Sequence, residues 1–219
     1  MAASISLLPR SPHRDLRTEI SASQHGRLLV AMADVVGERG YAATTVADVI
    51  KAAGVSRRTF YEHFPDKEAC FLAAYQHGSD ALASQLLQRF EQDAGWRERV
   101  EGVLDIFLGA LAAEPGFARA FLIEIWAAGP AAYERHIEIV EQFHTLMRAV
   151  HEQARVESPG VVAVSDTIIT AVTGGIARVA TMELLAGRAA RLPELKPELL
   201  RFGLALLAGS DPQLAEDAA

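Results

Sequence analysis

The chain has 219 residues, of which 50% are hydrophobic and 22% charged, and its formal net charge is −7. No apolar run approaches the roughly 18 residues that a membrane-spanning helix needs, so we expect no membrane segment. A single cysteine, Cys70, excludes an internal disulfide and is typical of a reducing compartment, so we expect a cytoplasmic protein.

Charge is divided unevenly along the chain. Residues 1–64 hold eight Lys and Arg against six Asp and Glu, a net charge of +2. Since the whole chain has 21 basic and 28 acidic residues, the remainder carries 13 and 22, a net charge of −9. A polyanion responds to the local field rather than to the total charge. This division is therefore typical of a nucleic-acid-binding head on a body that does not bind nucleic acid.

Residues 1–22 are rich in Ser, Pro and Arg and lack helical periodicity, which predicts a flexible N-terminal arm. Arg10, Arg14 and Arg17 would reach an adjacent minor groove if this arm binds DNA as homeodomain arms do. A leader with incidental charge is the alternative. The first helix is expected at residues 23–39.

Two short helices joined by a tight turn are predicted between residues 45 and 64. Thr45 would cap the first of them, and Asp48 favours the positive end of its dipole. Gly54 supplies the turn, because glycine reaches left-handed backbone angles without steric cost. Ser56 would cap the second helix. Two helices joined in this way form a helix-turn-helix, whose second helix enters the DNA major groove.

The second helix presents side chains suited to DNA. Its phenylalanines share one side at about 100° per residue, so Arg58 and Thr59 point away from the core. Arginine bonds guanine bidentately and a threonine methyl contacts thymine, so the predicted base-contacting residues are Arg57, Arg58 and Thr59. Glu62, four residues after Arg58, is expected to form an intrahelical ion pair with it.

Other polar groups of this region suit phosphate oxygens, which set the register on a duplex without carrying sequence information. The predicted phosphate-contacting residues are Thr45, Ser56, Tyr61, His63 and Lys67. An ordinary helical hairpin with a solvated polar face is the alternative interpretation.

Residues 38–75 resemble the DNA-binding signature of the TetR (tetracycline-repressor-like) regulators. The shared residues are Gly40-Tyr41, Thr44-Thr45, Ile50, Ala53-Gly54-Val55-Ser56, Thr59-Phe60-Tyr61, His63-Phe64 and Asp66-Lys67-Glu68. With the preceding helix, the resemblance spans about a quarter of the chain. It implies a homodimer that binds a DNA operator through two such heads. It also implies that a small ligand binds the body, displaces the fourth helix and releases the operator.

The rest of the chain shows helical patterns and no strand signal. Further helices are expected at about 66–93, 96–113, 116–128, 130–156, 162–187 and 194–209. We predict an all-α fold with a three-helix helix-turn-helix DNA-binding head at 23–65. A larger helical effector-binding and dimerisation domain at 66–211 and a C-terminal tail at 212–219 would complete it.

The segment 162–187 is apolar nearly all round, with only Asp166, Arg178 and Glu183 charged. Such a helix has to be covered on both sides, which favours a two-fold homodimer interface. The predicted interface residues are Ile168, Ala171, Val172, Gly175, Val179, Met182, Phe202 and Leu206. A single central core helix is the alternative.

The central helices carry aromatic side chains with a few polar groups among them, as small-molecule sites do. The same spacing is typical of an ordinary core, and the resemblance is what favours an effector pocket. The predicted pocket residues are Phe90, Trp96, Phe107, Phe121, Glu124, Trp126, Tyr133 and His144.

Glu141 and His144 have the i, i+3 spacing of carboxylate-bridged di-metal bundles, but those sites use two copies and only one is evident, so we predict no metal site. The chain has no phosphate-binding glycine loop, nucleophile elbow or paired cysteine ligands. We therefore predict no enzyme activity, no catalytic residues and no cofactor. A helical ligand- or metal-binding protein without DNA activity is the alternative.

These patterns together predict a cytoplasmic homodimeric transcriptional regulator, a repressor that leaves its operator when an effector binds. The expected partners are a double-stranded DNA operator, a second copy of the chain and an unknown small-molecule effector, with no membrane partner. The sequence identifies neither the operator nor the effector.

Overall fold

The computed structural model describes residues 22–90 and 95–207. Within these ranges the chain forms nine α-helices and no strand, which confirms the predicted all-α fold. The helices are α1 Gln24–Arg39, α2 Val46–Ala53, α3 Arg57–His63, α4 Lys67–Phe90, α5 Trp96–Ala113, α6 Pro115–Leu122, α7 Pro130–Glu157, α8 Asp166–Leu185 and α9 Lys196–Leu207. Two 3₁₀ segments, Glu124–Ala127 and Ala189–Leu195, precede α7 and α9.

Most helix ends lie within a few residues of the predicted bounds. The helix expected at 116–128 instead ends at Leu122 and continues as the 3₁₀ segment, and α8 begins at Asp166 rather than at residue 162. The predicted arm up to residue 21, residues 91–93 of the fourth helix and the chain after residue 207, including the tail at 212–219, lie outside the described residues.

The turn between α2 and α3 has the predicted geometry. Thr45 and Asp48 form a reciprocal capping box at the start of α2. Gly54 closes that helix in the left-handed region, at φ 61° and ψ 40°. The Ser56 side chain then accepts the backbone N–H of Thr59 and starts α3. The caps at the start of α2 and α3 and the glycine that closes α2 are all set by local sequence.

The interior of α1–α3, which we call the head, is continuous with that of α4–α9, the body. Leu28 of α1, Val49 of α2 and Phe60 of α3 are fully buried in one cluster. Phe71 and Tyr75 of α4 belong to the same cluster. Helix α4 therefore joins the two interiors through closely packed side chains.

A second junction joins the head to α6. A Cβ placed on Gly37 of α1 would collide with the backbone of Gly116, so the two helices approach more closely than larger residues allow. Beside this contact, the backbone N–H of Tyr41 donates to Glu124 Oε2 at 2.8 Å, and Arg119 donates to Glu124 Oε1 at 3.2 Å.

Candidate functional site

Helix α3 presents two arginines to solvent. The Arg58 side chain is 88% exposed and its Nε lies 2.8 Å from Glu62 Oε1, which confirms the predicted ion pair. The Arg57 guanidinium lies 5.5 Å from the centroid of the Tyr61 ring. Neither guanidinium packs into the core, so both can be redirected towards base edges at little cost, since exposed ion pairs contribute little to stability.

The hydroxyls of Ser56 and Thr59 are 2.9 Å apart at the start of α3, and either can be the donor. Ser56 Oγ also accepts the Thr59 backbone N–H at 3.0 Å. One hydroxyl proton of the pair is therefore available to a phosphate, while the Thr59 methyl is available to a thymine. The roles predicted for both residues stay predictions, and their positions suit them.

Thr45 is less available than its sequence position suggests. Its hydroxyl donates to Asp48 Oδ2 at 2.6 Å and its backbone N–H donates to the same oxygen at 3.0 Å. These hydrogen bonds, together with the Arg39 guanidinium, lower the pKa of Asp48. A phosphate bound by Thr45 would have to compete with this carboxylate for the same two donors.

Lys67 holds the turn before α2 in place. Its ammonium donates to the carbonyl oxygens of Tyr41 at 2.9 Å and Thr44 at 3.0 Å, and it lies 4.1 Å from the Tyr41 ring centroid. Two of its three donors are thus used within the protein, which leaves one for a phosphate. Its structural role was not predicted from the sequence.

Tyr61 and His63 lie further along α3, and both are exposed. The Tyr61 ring packs edge-on against Phe60, with 5.3 Å between ring centroids, and the His63 ring lies 5.4 Å from the ring of His25. The Tyr61 hydroxyl accepts from Arg57 Nη2 at 3.5 Å and keeps its own proton for a phosphate, and the His63 ring is exposed, so these two assignments stay predictions.

The body contains a partly open cavity of about 460 Å³, within the usual range for small-molecule sites. Most of the cavity wall is apolar, apart from one glycine. This part of the wall comes from α4, α5, α6, α9 and the 3₁₀ segment before α7. These residues are Leu86, Val100, Val103, Leu104, Phe107, Phe121, Leu122, Trp126, Leu199, Leu200, Gly203 and Leu207. Its polar lining comes from α7 and α8 alone: His136, His144, Thr170, Thr173, Arg178 and Thr181.

Two buried histidines of α7 face this cavity. His136 Nδ1 is 2.7 Å from the Tyr75 hydroxyl of α4, and burial lowers the pKa of His136. His144 Nε2 is 2.9 Å from Thr173 Oγ1, and its Nδ1 is 3.3 Å from Glu141 Oε1. His136 thereby links the cavity lining to the helix that connects head and body.

The outer faces of α8 and α9 form an apolar surface that no residue of 22–90 or 95–207 covers. Val179, Met182, Phe202 and Leu206 are between 37% and 48% exposed, and Ala171 is exposed as well. Exposed apolar patches of this kind mark interaction sites.

The amino-acid sequence of most of the head and the first third of α4 matches a known family. Residues 28–74 match the family described as "Bacterial regulatory proteins, tetR family". This part of the chain is a DNA-binding domain of the TetR family.

Two relatives of this chain share its N-terminal part. The HTH-type transcriptional activator FasR of Mycolicibacterium smegmatis is 32% identical over 84 residues, 38% of each chain. The HTH-type transcriptional regulator CymR of Pseudomonas putida is 41% identical over 66 residues, 30% of this chain and 32% of its own. The chain thus spans between 32% and 38% of the length of these two curated relatives.

The fold likeness extends to the body. A crystal structure of the transcriptional regulator FadR from Bacillus subtilis, in complex with stearoyl-CoA, matches with a TM-score of 0.75 at 17% identity. The match covers 84% of this chain and 97% of FadR. At this identity the likeness concerns the fold alone.

Four predicted pocket residues of the chain do not line the cavity. Trp96 donates its backbone N–H to Glu157 and its indole N–H to Ser158, and Phe90 packs in the same cluster. Glu124 binds Tyr41 and Arg119 instead. Tyr133 is exposed, and its ring centroid lies 5.7 Å from that of Trp126. Phe107, Phe121, Trp126 and His144 do line it.

Three predicted interface residues of α8 are covered wholly or partly by the chain itself. Val172 is 2% exposed, because it packs against Leu207 of α9 and lines the cavity. Gly175 receives the Phe202 ring, since a Cβ on Gly175 would lie 3.2 Å from that ring, so its small size serves packing within one chain. Ile168 is half-buried against the Val172 cluster. The remaining five are exposed.

Sequence reasoning missed the places of three residues in the candidate site and at its connection to the head. Arg178 is the one cation of an apolar segment, and this was the signal in the sequence that could have identified it. The contact of His136 with Tyr75 and that of Glu124 with Tyr41 join residues 61 and 83 positions apart, which no local pattern records.

No group of three or more His, Cys, Asp or Glu residues that could hold a metal ion occurs at positions 22–90 or 95–207. Both ring nitrogens of His144 have protein partners, so the Glu141–His144 pair offers no free imidazole ligand. One helix of the described chain, α8, is long and apolar enough to cross a membrane by length and composition. No unbroken apolar run marks this helix in the sequence, because Arg178 and Glu183 interrupt the segment.

Proposed function

We propose that this chain is a homodimeric, sequence-specific DNA-binding transcriptional regulator, a repressor that a small-molecule effector releases from its operator. The observation that carries the proposal is the pair of exposed arginines at the start of the capped helix α3, in a head of the TetR family. Arg57, Arg58 and Thr59 contact bases, while Ser56, Tyr61, His63, Lys67 and, less readily, Thr45 contact phosphates.

Two copies associate through the exposed apolar face of α8 and α9. A helix with this much exposed apolar surface is covered by a partner, and a two-fold axis lets the same patch cover itself. In the dimer we propose, the two α3 helices lie on one side. Such a dimer binds two half-sites related by inversion, about one helical turn of DNA or a multiple of it apart.

Effector control rests on the position of the cavity. Phe121 of α6 lines it and stacks on Tyr75 of α4, with 5.5 Å between ring centroids. Helix α6 also meets the head through Gly116 and Gly37. A ligand that favours a different packing of Phe121 would therefore shift α4 and the head. It releases DNA only if it binds that state more tightly than the DNA-bound one.

Relatives support parts of this proposal. CymR is named a transcriptional regulator, and the FadR structure contains stearoyl-CoA, so a like fold accommodates a small ligand. FasR is named an activator, so repression by this chain is a separate element of the proposal.

The proposal is tested by selecting duplexes bound by the chain from a random pool. We expect enrichment of an inverted repeat, with binding that weakens steeply as salt rises because phosphate contacts release counterions. Sedimentation should give a dimer at micromolar protein. A reporter placed behind the selected repeat should be silenced by the chain. If no duplex is enriched, the DNA-binding function is rejected, and a monomer would reject the interface.

A further inference from the structure

The polar residues of the cavity lining lie on one side of the cavity, and this arrangement indicates what the cavity binds. All six of its polar lining residues lie on α7 and α8, while the opposite walls are apolar. No Asp or Glu lines it. A ligand that fits both sides has an apolar body and a polar group at one edge.

Arg178 is the one charged residue of the cavity lining. Within residues 22–90 and 95–207, its guanidinium has neither a hydrogen bond nor an ion pair, although nearby Arg188 is paired with Glu183. Arginine keeps its charge at all physiological pH values and offers a fork of donors that matches a carboxylate. A lone cation beside an apolar cavity therefore favours an anion and disfavours a second cation.

His136 adds a second polar contact to the same wall. The residue is 8% exposed, and its Nδ1 is used by the Tyr75 hydroxyl. Nε2 has no partner in the described part of the chain. A ring nitrogen on the cavity wall can form a hydrogen bond with a polar group of the ligand.

The volume limits the size of the ligand. At roughly 30 Å³ per atom, the volume that a water molecule takes in the liquid, a cavity of about 460 Å³ holds about 15 non-hydrogen atoms. One cation and this volume together match a small ligand with a single negative charge.

We propose that the effector is an amphipathic monocarboxylate of about this size, whose carboxylate pairs with Arg178 and whose apolar body lies against α4, α5 and α9. This deepens the effector-controlled function proposed above and rests on it. Arg178 is exposed in the single chain and lies on the same helix as the exposed residues Val179 and Met182. A second copy that covers those residues would remove water from around the guanidinium and strengthen the pairing.

Calorimetric titration of the full chain with dodecanoate, 1-dodecanol and dodecylammonium, each below its critical micelle concentration, tests the proposal. The three probes share one chain and differ in charge. We expect dodecanoate to bind about five- to tenfold more tightly than the alcohol, as a partly screened charge-assisted hydrogen bond allows. Dodecylammonium should bind more weakly than both. Equal affinities, a preference for the cation or no binding by any probe would overturn the proposal.

Arg178→Gln should remove the preference for dodecanoate and leave the affinity for 1-dodecanol unchanged. Arg201→Gln is the matched control, because Arg201 is an exposed arginine of α9 outside the cavity lining and should keep the preference. If Arg178→Gln keeps the preference, the pairing is wrong. If it instead dissociates the dimer with the preference intact, the guanidinium serves the copy–copy contact and the proposal also fails.

Binding of the selected duplex by the same variants, without any probe, is measured separately. Loss of duplex binding would count against the proposed DNA-binding function, whereas the titrations test the ligand proposal alone. The two proposals can thus fail independently of each other.

Discussion

Glu124 accepts the backbone N–H of Tyr41 at 2.8 Å, so a carboxylate of the body caps the turn that follows α1 of the head. The Arg119 guanidinium holds the other carboxylate oxygen at 3.2 Å. Tyr41 is buried, so its N–H has no ready access to water once this acceptor is removed. The hydrogen bond therefore joins the two parts of the chain at a point where an unpaired donor would be costly.

Replacing Glu124 should measure this connection. Glu124→Ala is expected to lower the free energy of unfolding by about 1–3 kcal/mol, because the buried N–H and Arg119 both lose their partner. Glu124→Gln retains an acceptor oxygen and should lose less. Urea unfolding gives both values, with Glu134→Ala as an exposed control on α7. The connection contributes nothing if Glu124→Ala unfolds at the same urea concentration as the control.

The glycine contact between α1 and α6 yields a paired prediction. Gly37→Ala should destabilise the chain by about 1–3 kcal/mol, since its Cβ meets the Gly116 backbone and the helices have to separate. Gly109→Ala lies in α5 with nothing within 4 Å of the new Cβ, and should stabilise it by up to about 1 kcal/mol. Thermal unfolding should therefore shift in opposite directions. A shift of the same sign would contradict the close approach.

Lys67→Ala should affect both stability and DNA binding. The carbonyl oxygens of Tyr41 and Thr44 lose their shared donor, at a cost of about 1–2 kcal/mol. If the third donor also binds a phosphate, the salt dependence of DNA binding should fall by about one ion. Lys51→Ala, an exposed lysine of α2, should leave stability unchanged. An unchanged urea midpoint for Lys67→Ala would show that these hydrogen bonds do not stabilise the turn.

Stability should depend on pH through His136. Burial lowers the pKa of His136 below its ordinary value of 6.5, so the unfolded chain binds more protons just below that value. Its contribution is complete above about pH 6.5 and is lost as pH falls towards the folded-state pKa. Lowered pKa values of His25 and His151 act in the same direction.

His136→Asn removes this titration and keeps a polar partner for Tyr75. The variant should lose less stability than the unaltered chain between about pH 7.5 and about pH 5.5, a window above the range in which carboxylates titrate. Ser84→Asn, at an exposed residue of α4 that carries no ionisable group, should lose as much as the unaltered chain. Equal losses for all three proteins would exclude His136 as a source of the pH dependence.

The head could be predicted from sequence because its structure depends on local contacts. Thr45, Gly54 and Ser56 act within three or four residues of their own positions, and the Arg58–Glu62 pair spans one helical turn. Helix bounds in the body followed from glycine and proline for the same reason. The prediction failed where a helix gave way to a 3₁₀ segment after Leu122, a change that packing decides.

The cavity could be predicted only in part. Phe107, Phe121, Trp126 and His144 line it, whereas Trp96 and Phe90 have the same chemistry but pack near the end of α7. Periodicity places a residue on a face of its helix without showing which other helix that face meets. Val172 illustrates this limit, since it lies on the same side of α8 as the exposed Val179, seven residues on, yet α9 covers it.

The most direct measurement of the central claim compares the unaltered chain with Arg57→Ala and Arg58→Ala on the selected duplex and on a scrambled duplex of equal length. Each variant should lose about 1–3 kcal/mol on the selected duplex at fixed salt and much less on the scrambled one. The free energy of unfolding should change by less than about 0.5 kcal/mol, because both side chains are exposed. If both variants keep the affinity and the selectivity of the unaltered chain, α3 does not read the operator.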